Sequence, residues 1–133
     1  MGRKPVAAAC LLAAVLGGCG TADRERDVAA VTQRFHAAIA ARDGQAACAE
    51  LSEETASKLE QQEQKPCEEA VLGLELPTGR SVASTDVYER SAYASLAGGG
   101  TDFLDEGPGG WTIAAAGCQP PASEQPYECK LEG

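Results

Sequence analysis

Four runs decide the fold: Ser81-Val82-Ala83-Ser84-Thr85-Asp86-Val87-Tyr88, Ser91-Ala92-Tyr93-Ala94-Ser95-Leu96, Thr101-Asp102-Phe103-Leu104-Asp105 and Trp111-Thr112-Ile113-Ala114-Ala115-Ala116-Gly117-Cys118. β-Branched, aromatic and small residues alternate with polar ones in them, the period of two that a half-buried strand requires. Glu89-Arg90, Gly98-Gly99-Gly100 and Gly107-Pro108-Gly109-Gly110 separate the runs and supply turns. Connections this short join antiparallel neighbours only. A fifth strand is expected at Tyr127 to Leu131. It follows Gln119 to Pro126, a stretch too rich in proline for a strand interior and read as a loop.

Before Gly79 the period changes. Val28, Val31, Phe35, Ala38 and Ile39 recur at helical spacing and predict an apolar stripe on a helix from about Arg24 to Arg42, stopped by Asp43-Gly44. A short helix is expected from Gln45 to Leu51. Ser52 has the chemistry of an N-cap for a third helix, with Glu53 and Glu54 in the first turn, where the helix dipole favours negative charge. A last helical turn, Glu68 to Leu72, follows the break at Lys65-Pro66-Cys67 and ends before Leu76-Pro77-Thr78-Gly79. Helices first and strands second is the order of an α+β domain, here with N-terminal helices packed on a curved antiparallel sheet of about five strands. Trp111 and Ile113 share a strand face and are expected in the core beneath the first helix, against Phe35 and Ile39.

At the start of the chain Arg3 and Lys4 precede an apolar run from Val6 to Leu16, closed by Leu16-Gly17-Gly18-Cys19. A basic segment, a short apolar segment and small residues before a cut are what the export machinery reads. The run covers about a dozen residues, too few for a helix that must cross a ~30 Å bilayer core with ~20 apolar residues. Leu16 to Cys19 resembles the bacterial lipobox. The resemblance implies a diacylglyceryl group on Cys19 and a mature chain that begins there, residues 1–18 being a cleaved signal peptide. Gly20 to Asp27 is short, polar and rich in alternating charge, so residues 19–27 read as a polar tether and 28–133 as one α+β domain. Cys10 leaves with the signal. Two acyl chains, at ~0.8 kcal/mol per buried methylene, hold a protein far more firmly than one. The expected location is the cell membrane, lipid-anchored and facing the extracytoplasmic side.

Cys48, Cys67, Cys118 and Cys129 remain, an even number in an exported chain, and disulfides are the expected state in an oxidising compartment. Three pairings are open to four cysteines. The sequential one, Cys48 with Cys67 and Cys118 with Cys129, ties each helical or strand segment to its neighbour and is the expectation. No Cys-x-x-Cys and a single histidine argue against a metal site, and no cofactor is expected. The chain has 11 Lys and Arg against 20 Asp and Glu; Arg3 and Lys4 leave with the signal, so 9 remain against 20 and the mature formal charge is −11. Such a chain is repelled by phosphate polyanions and anionic headgroups. Nucleic acid is not expected as a partner, and the membrane is expected to be met through the lipid on Cys19.

Phe103-Leu104, Gly110-Trp111-Thr112-Ile113-Ala114-Ala115-Ala116-Gly117-Cys118 and Pro126-Tyr127-Glu128-Cys129 resemble the C-terminal half of small exported lipoproteins of the nuclear transport factor 2-like superfamily, and the similarity runs from Val28 to Gly133. The resemblance implies helices in the concavity of a curved sheet, around a cone-shaped pocket. That scaffold hosts isomerases, dehydratases and epoxide hydrolases as well as modules without catalysis, so it argues weakly for any one function. An enzyme of this kind needs an acid or base in the pocket. His36, the only histidine, flanks the helix stripe and reads as an exposed or hydrogen-bonded helix residue. Alternation places Phe103 and Asp105 on one face, so Asp105 would reach the pocket mouth if Phe103 faced the core. Asp102, Asp105 and Glu106 beside a turn read instead as a solvated hairpin end. The expectation is a non-enzymatic binding or interaction module of the envelope, its partner an envelope protein or a small hydrophobic ligand. The alternative is an isomerase, hydratase or hydrolase with Asp105 as base, helped by His36.

Replacing Cys19 by Ala is expected to release the protein from the membrane fraction or leave its precursor uncleaved. Intact-mass measurement of the wild-type mature chain checks the origin, since an N-terminal Cys19 without a lipid mass would overturn the lipobox reading.

Overall fold

The computed structural model describes Gly2 and residues 19–133, so the signal segment and Leu16 to Gly18 lie outside the described residues. Four helices, α1 (Cys19–Ala40), α2 (Gly44–Ala49), α3 (Glu53–Glu63) and α4 (Cys67–Gly73), precede five strands, β1 (Val82–Tyr88), β2 (Ser91–Leu96), β3 (Thr101–Gly107), β4 (Gly110–Cys118) and β5 (Leu131–Glu132). The strands form one antiparallel sheet in the order β1-β2-β3-β4-β5, an α+β fold with helices N-terminal to the sheet. Among the described residues no helix is long and apolar enough to cross a membrane.

Local chemistry sets most of the boundaries. Asp43 caps α2, its side chain accepting from Ala46 N at 3.0 Å, and Ser52 caps α3, accepting from Thr55 N at 3.1 Å. The expected tether is corrected: residues 19–27 are the first turns of α1. Arg24 explains why they fold onto the domain, because its guanidinium lies 5.2 Å above the Trp111 ring and pairs with Glu106 at 2.7 Å. β5 is also shorter than expected, beginning at Leu131 rather than Tyr127, since Gln119 to Lys130 form a loop closed by a Gln119–Glu128 bridge and the Cys118–Cys129 disulfide.

Val28, Val31, Phe35, Ala38 and Ile39 of α1 are buried together with Ala92, Ala94, Leu104, Trp111, Ile113 and Ala116 of the sheet. Trp111 is therefore in the core, as its alternation with Ile113 requires, with Arg24 from the first turns of α1 over its ring. β4 changes phase between Ile113 and Ala116, both fully buried, because a bulge sets Leu104 against Ile113 but Phe103 against Ala115. The extra residue, Ala114, turns its carbonyl to Thr55 Oγ1 and Gly133 N, each at 3.0 Å. Beyond it, the free edge of β4 is covered by the chain before α3: Ile113 N donates to Glu50 O at 2.8 Å and Ser52 N to Ile113 O at 3.0 Å.

Disulfides join Cys48 to Cys67 and Cys118 to Cys129, the sequential pairing. The first clamps α2 to α4, and loop closures of this kind contribute ~3 kcal/mol on the chain-entropy account. Gly44 lies at the same contact, where a Cβ would stand 2.0 Å from the Glu68 carbonyl oxygen. Gly44→Ala is therefore expected to lower stability by ~1–3 kcal/mol or more, the overpacking range, because the opposing atom is backbone and does not rotate away. Urea unfolding of the oxidised protein checks this, and an unchanged midpoint would show that α2 and α4 pack more loosely.

Candidate functional site

The spacing that brings Val28 and Phe35 to the inner face of α1 also brings Thr32 and His36 there, at intervals of four. Thr32 is fully buried and satisfies its hydroxyl within the helix, donating to Val28 O at 2.9 Å. His36 is 6% exposed and points Nε2 at the Asp102 Oδ2 of β3, with which it forms a hydrogen bond. Asp102 has no exposed surface. Its second oxygen, Oδ1, accepts from Gly117 N at 3.1 Å.

That contact marks a second irregularity of β4. Between the pairs Thr101–Cys118 and Phe103–Ala115 the register slips, and Gly117 adopts φ +66°. That conformation favours glycine, and a Cβ there would in addition press on Leu76 Cδ2 at 2.8 Å and Lys130 Cβ at 3.3 Å. A bulge takes backbone groups out of the ladder, and here the carboxylate accepts the N–H. A buried carboxylate is costly unless its oxygens are hydrogen-bonded, and Asp102 meets the condition by joining α1 to the β3–β4 pair. On the far side of the ring His36 Nδ1 is buried without a hydrogen-bond partner. The imidazole borders an open depression of about 180 Å³ that it shares with Gln33, Ala37, Ala40, Gly79 and Arg80.

The expectations for ionisable residues are thus redistributed. Asp105 is exposed and accepts from Ser91 Oγ at 2.8 Å, so it belongs to the solvated hairpin end and not to a pocket with His36. Asp102, expected at the same solvated hairpin end, is instead enclosed. The cause is the phase of β3: Asp102 and Leu104 face the core, while Phe103 and Asp105 face outward. His36, read as a flanking helix residue, is buried for the complementary reason, because it fills the space above Asp102.

The outer face of the sheet carries a second feature that the sequence reading passed over. Asp86, Tyr93, Phe103 and Ala115 lie side by side in register across β1 to β4. Tyr88 stacks on Tyr93 with ring centroids 6.0 Å apart, Phe103 follows at 6.4 Å, and Tyr127 of the loop meets Phe103 edge-on at 5.2 Å. Tyr88 and Tyr127 are 61% and 44% exposed. Hydrogen bonding to Tyr88 and then to the Asp86 carboxylate pushes the Tyr93 phenol up from 10.0 to about 12. The folded state favours the neutral phenol, so this contribution is complete below the ordinary phenol value and is lost as pH rises through the folded one. The signal was present in the alternation, where Tyr93 and Phe103 occupy the positions opposite to the buried Ala94 and Leu104.

Among the described residues no group of three or more His, Cys, Asp and Glu side chains is arranged to hold a metal ion. Comparison with protein-family models, with curated proteins and with solved structures found no match.

Removing Asp102 tests the buried junction. Asp102→Ala strands both His36 Nε2 and the Gly117 N–H and is expected to cost ~3–5 kcal/mol, the range for breaking a buried pair on one side. Asp102→Asn keeps an acceptor for Gly117 and a donor for the imidazole, so denaturant midpoints should rank wild type above Asn and Asn above Ala.

Proposed function

We propose that the chain is a lipid-anchored extracytoplasmic protein of the cell envelope that works as a non-enzymatic binding or protein-interaction module. The observation that carries this reading is the enclosure of the His36–Asp102 pair: Asp102 has no exposed surface, and both of its oxygens are occupied by the protein itself. A carboxylate committed to holding a helix and a bulge is not free to take a proton from a substrate, since a general base must come within hydrogen-bond reach of the reacting group. The core supports the same reading, because α1 fills the inner face of the sheet with Phe35, Ile39, Trp111 and Ile113. The order of elements, helices and then an antiparallel sheet, agrees with the nuclear transport factor 2-like resemblance. In a chain of that kind the lipid on Cys19 keeps the module beside the membrane, and contact with partners falls to its surface.

One observation favours the enzymatic alternative. A histidine oriented by a buried aspartate, with the other ring nitrogen unpartnered, is an arrangement that acid–base chemistry uses, and the depression beside Gln33 and Arg80 gives it a neighbouring surface. On this second reading the base is His36, positioned by Asp102, and Asp105 takes no part.

Two measurements separate the readings. Native mass spectrometry of the protein purified from membranes is expected to show a bound partner or ligand in fixed ratio. A panel of small hydrophobic epoxides and enones is expected to give no turnover. Turnover that falls ~10²-fold in His36→Gln, with circular dichroism showing the fold intact, would replace the binding reading with the enzymatic one.

A further inference from the structure

The core and the His36–Asp102 junction account for the inner face of the sheet and leave the outer face unused. We propose that this outer face, an aromatic row of Tyr88, Tyr93, Phe103 and Tyr127 flanked by Asp86 and Asp105, docks an arginine- and lysine-bearing segment of another envelope protein. The inference rests on the binding-module reading above and assigns its surface and the chemistry of its partner.

Placement is the first argument. Tyrosines and a phenylalanine that point away from a core gain nothing from folding comparable to burial, yet here they adjoin one another across β1, β2, β3 and the following loop. Contiguous exposed aromatic surface marks contact sites, and tyrosine joins a large apolar body to a polar tip.

Charge decides the partner. Asp86 pairs in register with Tyr93, and Asp105 stands two residues beyond Phe103 on the same face. Among the described residues none of the five strands contains a Lys or Arg. The basic side chains at the sheet's ends are engaged elsewhere: Arg80 donates to Gly99 O, Arg90 Nη2 to Glu106 O at 2.9 Å and Lys130 Nζ to Glu75 O at 3.1 Å. The face therefore offers ring surfaces and carboxylates with no cation of its own strands between them. Guanidinium and ammonium groups bind both, stacking on the ring faces and pairing with the acids. The chain's excess of 20 acidic over 11 basic residues steers a basic partner and repels an acidic one.

The test is isothermal titration of the purified full chain with a nona-arginine peptide, with chitotetraose as a neutral sugar that also stacks on aromatic rings. The peptide is expected to bind in a salt-sensitive way, weakened ~10-fold or more by Tyr88→Ser with Tyr127→Ser and a few-fold by Asp86→Asn. The two tyrosines are exposed, so the double variant is expected to keep the wild-type melting curve. Glu60→Gln with Glu63→Gln on α3, which removes acidic charge away from the sheet, should change affinity less than twofold. Equal weakening by the α3 variant would reduce the binding to net charge and overturn the proposal. Unaltered binding by the tyrosine variant, no peptide binding, or chitotetraose binding that requires the same tyrosines would overturn it as well. None of these outcomes bears on catalysis, so the binding-module reading fails separately, through His36-dependent turnover.

Discussion

The carboxylate of Asp102 is held between a helix and a strand irregularity, and the architecture is arranged around its enclosure. One oxygen meets His36 of α1 and the other the Gly117 N–H of β4, while Asp102 itself belongs to β3. A helix and a strand pair far from it in the chain thus converge on a single side chain. Apolar packing is non-directional and tolerates small shifts of a helix across a sheet. A buried carboxylate tolerates them poorly, because losing either partner leaves charge or a polar backbone group without compensation. The hydrophobic stripe of α1 brings the helix to the sheet, and Asp102 specifies where along the sheet it sits.

β4 shows how local irregularity serves that placement. A strict alternation would send Ala116 and Cys118 to the face opposite Trp111 and Ile113, yet all four are buried. The bulge at Ala114 reverses the phase, and the one at Gly117 frees the N–H that Asp102 accepts. The carbonyl of Ala114 is used in turn by α3 and the C-terminus through Thr55 and Gly133. Departures from the ladder are thus the points at which helices and strands are bonded to each other.

The two faces of the sheet divide the work. The inner face, beneath α1, is largely apolar, with Asp102 sealed within it and Glu106 paired to Arg24 at its rim, and stabilises the fold. The outer face keeps Tyr88, Tyr93, Phe103 and Tyr127 in a row that contributes little to the core.

The sequence by itself determined the α+β order, the antiparallel pairing and the N-cap of α3, because those depend on local periodicity, short connections and short polar side chains. It left three disulfide pairings open and favoured the sequential one, which the structure shows. Three matters were decided only by the tertiary structure. Residues 19–27 read as a tether from their charge, but Trp111 and Glu106, more than eighty positions away, draw Arg24 onto the sheet and keep them helical. Asp102 and Asp105 look alike in the sequence, and which faces inward turns on the phase of β3, in which Leu104 rather than Phe103 is turned to the core. His36 is legible as a helix residue, but its burial follows from the carboxylate brought beneath it, and a contact across 66 residues leaves no periodic trace in either segment. Periodicity records the face an element turns to the core, whereas the meeting of polar groups is set by how the elements dock.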